Sequence, residues 1–151
     1  MTMKLKEKLQ KTLTTAMKAR NEDTKRTLRL VMSAIKLAEV EERDELDDSR
    51  ILGILQKELK TREDSIQEAQ AAGRQDLIDQ AQREIEILNQ FLPKQMDTDE
   101  LKLLAKEVIQ ETGASGMRDM GMVMKNLMPK LEGRASGQEA SKIVRELIQS
   151  N

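Results

Sequence analysis

The sequence predicts an all-α protein in two parts, on three observations. Aromatic residues make up 1% of the chain and charged residues 35%, and ten methionines stand against one phenylalanine, Phe91. Strands draw on aromatic and β-branched side chains, whereas Leu, Met, Ala, Glu, Lys, Gln and Arg favour helix, so this balance is helical. Apolar residues also recur at intervals of three and four along most of the chain. Finally, Pro93 interrupts that pattern and disfavours helix at the residue before it, and a new helix signal follows. The 151 residues are therefore read as an N-terminal four-helix domain with a long antiparallel hairpin, residues 1–93, followed by a small C-terminal three-helix domain, residues 94–151.

The first helix is expected from about Met3 to Arg20, where Leu5, Leu9, Leu13 and Met17 make one apolar stripe beside a face carrying Lys4, Lys8, Lys11 and Lys18. Asn21 is the N-cap of a second helix running to about Glu42, with Leu28, Val31, Met32, Ile35 and Ala38 inward and Lys25, Arg29 and Lys36 on another face. The acidic run Glu39 to Asp48 breaks the pattern, and Asp47 or Asp48 caps a third helix. That helix carries Leu52, Leu55, Leu59, Ile66 and Ala69 and stops before Gly73. In the fourth, Ile78, Ala81, Ile85, Leu88 and Leu92 alternate three and four apart, a coiled-coil spacing that pairs it with the third as an antiparallel hairpin.

Beyond Pro93, Asp97 followed by Glu100 is a capping-box variant that opens a helix to about Thr112, stopped by Gly113. A turn over Gly116 to Gly121, a short helix to Met128, a connection from Pro129 to Gly137 and a last helix ending near Ile148 complete the second domain. Met117, Met120, Met122, Met124 and Met128 crowd one stretch; in a small domain without aromatics they are expected in the core.

Cys, His and Trp are absent. Zinc sites built on Cys or His, Cys nucleophiles, His general bases and Ser-His-Asp triads are thereby excluded. The acidic run Glu39, Glu41, Glu42, Asp44, Glu45, Asp47 and Asp48 sits at a solvated turn without the contrasting environments that acid-base catalysis needs, so no catalytic residue, metal or cofactor is assigned. No stretch approaches the about 20 apolar residues of a membrane span. With no secretory-type apolar leader and no disulfide, a cytoplasmic protein is expected.

The net charge of −1 conceals segregation: residues 1–36 carry ten Lys or Arg against three acids, and residues 37–93 carry seven against fifteen. From Met117 to Arg145 six bases face three acids. The basic face of the first two helices could steer a polyanion, or could simply neighbour the acidic third and fourth helices, and the second reading is preferred.

Several short strings, in order and over essentially the whole chain, resemble the YqeY family, also described as GatB/YqeY-domain proteins. They are Met17-Lys18-Ala19-Arg20, Thr27-Leu28-Arg29, Ala72-Gly73-Arg74-Gln75-Asp76-Leu77, Glu86-Ile87-Leu88 and Phe91-Leu92-Pro93-Lys94-Gln95. Asp119-Met120-Gly121, Val123-Met124-Lys125, Met128-Pro129-Lys130 and Gly133-Arg134-Ala135 continue the series. The second part is also similar to the tail domain of the GatB subunit of the tRNA-dependent amidotransferase, through Gly121, Val123-Met124-Lys125, Gly133-Arg134-Ala135 and the last helix with Val144 and Leu147. That resemblance implies a helical appendage that holds tRNA while chemistry happens in a larger domain this chain lacks.

The resulting expectation is a non-catalytic accessory protein whose second domain binds tRNA or another structured RNA through phosphate contacts from Arg118, Lys125, Lys130, Arg134 and Lys142. No DNA sequence recognition is expected, and with no aromatics to stack on bases, single-strand reading is not expected either. Two alternatives stay open. One is a protein-interaction adaptor, and the other is a partner of a carbon–nitrogen ligase, with glutamine as amido-nitrogen donor, active only in a complex.

Overall fold

The computed structural model describes residues 4–150, and α-helix accounts for all the regular structure among them apart from one short 3-10 turn. The chain divides into two compact units, Met1–Leu92 and Pro93–Asn151.

In the first unit, α1 (Leu5–Lys18), α2 (Glu22–Glu42), α3 (Asp48–Ala71) and α4 (Gln75–Asn89) pack around Leu9, Leu28, Val31, Ile35, Ile51, Leu55 and Leu88, each 0% exposed. Polar residues start the helices: Asn21 accepts from Thr24 N, and Asp47 accepts from Arg50 N. The cap of α1 is tertiary, since Lys4 supplies no side-chain cap and Leu5 N instead donates to Asp48 Oδ1 at 3.2 Å. The first three residues lie outside the described set, so the expected start at Met3 is not placed. The α1 stripe ends one residue early: Ala16 is buried, whereas Met17 is 46% exposed. At the hairpin tip Gly73 has φ 67°, and the Arg74 N to Ala69 O and Gly73 N to Gln70 O bonds close α3 as a Schellman motif. α3 then packs along α4 more extensively than any other pair of elements in the unit.

In the second unit, α5 (Thr98–Thr112), a 3-10 turn (Met117–Asp119), α6 (Met120–Leu131) and α7 (Gly137–Gln149) enclose Leu101, Ala105, Val108, Val123, Leu127, Leu131, Ala140 and Val144. Asp97 accepts from Glu100 N, and Ser136 accepts from Glu139 N at the head of α7. Sequence reasoning ended the middle helix at Met128, but α6 runs through Pro129 to Leu131. The proline sits in the last turn and forfeits one backbone bond there, while the helical course buries Leu127 and Leu131 at 0% and 2% exposure. The methionine cluster also departs from expectation. Met120 and Met124 pack against the core, but Met117, Met122 and Met128 are 44%, 44% and 45% exposed, because the core positions of α6 are taken by Val123, Leu127 and Leu131.

Candidate nucleic-acid interface

The five bases proposed to meet RNA all belong to the second unit, but they do not share one chemistry. Arg118 is exposed in the 3-10 turn, Lys125 is exposed on α6 between Met122 and Met128, and Lys142 is exposed on α7. None of these three forms an ion pair or side-chain hydrogen bond among the described residues. Lys130, in the last turn of α6, is drawn across to Glu111 of α5 at 2.9 Å.

Arg134 is a tie within the fold. Glu132 and Gly133 take φ of 50° and 75°, and after this left-handed pair Arg134 Nε donates to Lys94 O at 2.8 Å. Its guanidinium meets Glu100 Oε2 at 2.9 Å, and its carbonyl accepts from Met96 N at 2.7 Å. Gln95 adds a side-chain bond to Gly133 O at 3.0 Å. The strings Pro93-Lys94-Gln95 and Gly133-Arg134 thus hold each other, which gives Arg134 a structural task. Glu100, expected to complete a capping box, is used on Arg134 instead.

The glycines of this unit are mostly explained by helix ends. Gly113 is left-handed after α5, and a Cβ on Gly137 would come within 3.2 Å of Met128 Cε where α7 begins. Asp119 has its carboxyl held below the usual range, chiefly by the Ser115 backbone N–H at 3.0 Å.

The first unit presents the longer basic row. Lys4, Lys8, Lys11 and Lys18 are exposed along one side of α1, spanning about 21 Å at 1.5 Å per residue, and Arg29 and Lys36 are exposed on α2. None of the six forms an ion pair among the described residues, and Lys25 pairs only with Glu22 of its own helix at 3.6 Å. No ion pair joins these six bases to the acidic third and fourth helices among the described residues. Neutralisation runs through other residues: Lys6 to Glu39 at 2.8 Å, Arg26 to Asp23 at 2.8 Å, and Arg83 to Asp23 at 3.0 Å.

The acidic run is likewise consumed structurally. Glu39 accepts from Lys6 and from Leu46 N, and these bonds, led by Lys6, hold its carboxyl below the usual range. Glu42 pairs with Arg50, Asp47 caps α3, and Asp48 caps α1. Among the described residues no group of three or more acids is placed to hold a metal ion.

Sequence reasoning missed Arg62 and Glu84, both buried between the hairpin helices. Arg62 bonds Glu58 and lies 3.9 Å from Glu84, and Arg26 approaches Glu84 at 3.8 Å. They form the floor of an open groove of about 670 Å³ whose walls include Leu30, Ala69, Leu77 and Ala81. The signal was a gap: Leu55, Leu59, Ile66 and Ala69 leave one seam position unfilled, and Arg62 occupies it.

Comparison with known proteins follows the same span. The family model described as Yqey-like protein matches residues 6–148. The chain is 30% identical to Altered inheritance of mitochondria protein 41, mitochondrial, of Pyrenophora tritici-repentis over 147 residues, covering 93% of this chain and 79% of the relative. It is 29% identical to the protein of the same name in Vanderwaltozyma polyspora, covering 74% and 64%. An uncharacterized protein of Schizosaccharomyces pombe is 33% identical over 86 residues, covering 57% and 70%. The cytoplasmic expectation falls here, because two of these relatives are named as mitochondrial. The absence of cysteine, on which it partly rested, does not distinguish one reducing compartment from another.

Proposed function

The chain belongs to the YqeY-like protein family, and from that premise we propose that it is a non-catalytic accessory protein that binds tRNA or another structured RNA by its phosphates. The observation that carries the reading is the set of exposed cations left without an acidic partner. Among the described residues these include Lys4, Lys8, Lys11, Lys18, Arg29 and Lys36 in the first unit and Arg118, Lys125 and Lys142 in the second. Unpaired surface cations release condensed counterions when they meet phosphates, and that release drives sequence-independent binding. Recognition of RNA over DNA then rests on shape, since there is no aromatic platform for bases.

The test is a titration against bulk tRNA and a duplex DNA of matched length at low and near-physiological salt. Lys125→Glu/Lys142→Glu and Lys8→Glu/Lys11→Glu are the informative variants, whereas Arg134→Glu would confound lost binding with a broken fold. With about six phosphate contacts, log K should fall against log salt with a slope of about −5, and each double variant should make it shallower by about 2. A preference for tRNA that both variants weaken supports the reading. Equal binding to both polyanions, unchanged in the variants, overturns it.

A protein-interaction adaptor is the second reading, favoured by the exposure of Met117, Met122 and Met128 around Lys125. Methionine surfaces adapt to partners and bind through apolar area, so such an interaction would tolerate salt where RNA binding does not.

A further inference from the structure

α2 buries Leu28, Val31 and Ile35 in its own unit yet carries a second, exposed apolar seam that starts at Leu30 on the edge of the hairpin groove. Leu30, Leu37 and Val40 are 51%, 62% and 66% exposed, and Ala34 fills the interval at a spacing of four and three. Such a spacing is the seam of paired helices, and this one runs about 15 Å from Leu30 to Val40 at 1.5 Å per residue.

Charge along α2 says what covers it. After the first-turn acids Glu22 and Asp23, Lys25, Arg26 and Arg29 lie toward the N-terminal end and Glu39, Glu41 and Glu42 toward the C-terminal end, of which Glu39 and Glu42 already pair with Lys6 and Arg50. Arg26 keeps 45% of its side chain exposed while reaching Asp23 and approaching Glu84 at 3.8 Å, and Glu41 is exposed with no ion pair among the described residues.

We propose that this face docks a second copy of the chain, α2 against α2 in antiparallel orientation about a two-fold axis. In the register that sets Leu30 opposite Leu37, the axis passes between Ser33 and Ala34, and Arg26 falls opposite Glu41 at both ends. A two-fold contact must be self-complementary in this way, since each residue meets its counterpart twice. The small side chains at the crossing let the helix axes approach to the about 8 Å that tight packing requires. A parallel pairing would instead set Arg26 against Arg26 and Glu41 against Glu41. With a seam this short the dimer is weak and concentration-dependent, well below the roughly 20–30 residues per side of a standard interface.

The chain contains no cysteine, so a single introduced thiol reports contact without background. Ser33→Cys lies at the axis, and Gln67→Cys is an exposed control on α3. With a short thiol-to-thiol crosslinker, the full chain carrying Ser33→Cys should form covalent dimers about tenfold more than Gln67→Cys. Adding Leu37→Glu or Glu41→Arg to Ser33→Cys should return crosslinking to the control level with helicity unchanged by circular dichroism. Sedimentation of the unaltered chain should show a dimer fraction rising with concentration. Equal crosslinking at Ser33→Cys and Gln67→Cys, no effect of Leu37→Glu, or a monomer at every concentration overturns the proposal, the last of these leaving the seam to a partner of other chemistry.

Discussion

The two units solve the same packing problem with different materials. The core of the second is entirely apolar: all twelve residues of its buried cluster, from Leu101 to Ile148, are aliphatic. The first also encloses Thr27, Gln56, Arg62 and Glu84, at 0%, 8%, 7% and 9% exposure. Its main cluster gathers α1, α2, the start of α3 and the end of α4, and Ala69, Ile78 and Ala81 near the hairpin tip lie outside it. Arg62 and Glu84 sit in the hairpin between those regions, where Glu58 and Arg26 complete a chain of alternating charge. An apolar core tolerates sliding of similar side chains, whereas a buried ion pair is satisfied in one alignment of the helices and strongly penalises the others. The hairpin of the first unit is thus held partly by buried charge, and the second, with short helices and tight turns, has an apolar core alone.

Arg62 gives the sharpest test of that contrast. Arg62→Leu leaves the buried Glu84 with Arg26 alone at 3.8 Å and takes the partner from the part-buried Glu58, and should cost about 3 kcal/mol, read as lost amide-exchange protection in α3 and α4. Arg62→Leu/Glu84→Leu should recover most of it, because a pair replaced by aliphatics is close to neutral in stability. If the double variant is as unstable as the single one, the network contributes more than register and the contrast between the units fails.

The matching test in the second unit is Leu127→Ala. This side chain is 0% exposed on α6, and its removal should cost about 2–5 kcal/mol through lost burial and the cavity left behind. Leu127→Met, nearly equal in volume, should cost less than about 1.5 kcal/mol by denaturant titration. A large penalty for Leu127→Met would mean that this core is as demanding of shape as the first unit is of charge.

Helix ends were the most legible part of the sequence. Asn21, Asp47 and Asp97 cap where their side chains accept from the third residue on, and Gly73 and Gly113 stop helices at left-handed positions. Failures came where tertiary packing overrode local chemistry. Pro129 stays helical because Leu131 is buried, and Met117, Met122 and Met128 face solvent because the core of α6 is already filled. Arg62 was legible only as a gap in a heptad, since a charged residue at a seam position reads as surface until its partners are known. In the candidate interface the residue types were legible and their engagements were not. Arg134 and Arg118 look alike in sequence, yet one is committed to Lys94 and Glu100 and the other has no side-chain partner among the described residues.

A smaller effect tests one electrostatic tie of the first unit by pH. Glu39 ties α1, α2 and the following turn through Lys6 and Leu46 N, and its carboxyl titrates below its ordinary value of 4.5. A depressed carboxylate stabilises the fold fully above that ordinary value, and the contribution is lost as pH falls through the lower, folded value. Glu39→Gln should therefore lower Tm at neutral pH by a few degrees, and the gap to the unaltered chain should close below about pH 4.5. A gap that persists undiminished in acid would assign the loss to packing and remove the electrostatic part of the contrast.

The least costly change tests a feature common to both units. Arg20, Arg43 and Glu132 adopt φ of 55°, 56° and 50°, the left-handed conformation that Gly73 and Gly113 take at matching helix ends. At Arg20 the geometry is that of the glycine sites: Asn21 N donates to Ala16 O at 2.9 Å and Arg20 N to Met17 O at 3.4 Å. A side chain there costs about 1–2 kcal/mol, and glycine returns about half of that relief as added freedom of the unfolded chain. Arg20→Gly should accordingly raise stability by about 0.5 kcal/mol, while Gly113→Ala, with open space around it but φ 68°, should lower it by about 1 kcal/mol. Opposite signs at equivalent helix ends would show that backbone conformation, independent of the chemistry of either core, sets these termini. If Arg20→Gly destabilises, the arginine side chain contributes an interaction to the α1–α2 turn that outweighs its strained backbone, and charge governs even the turns of the first unit.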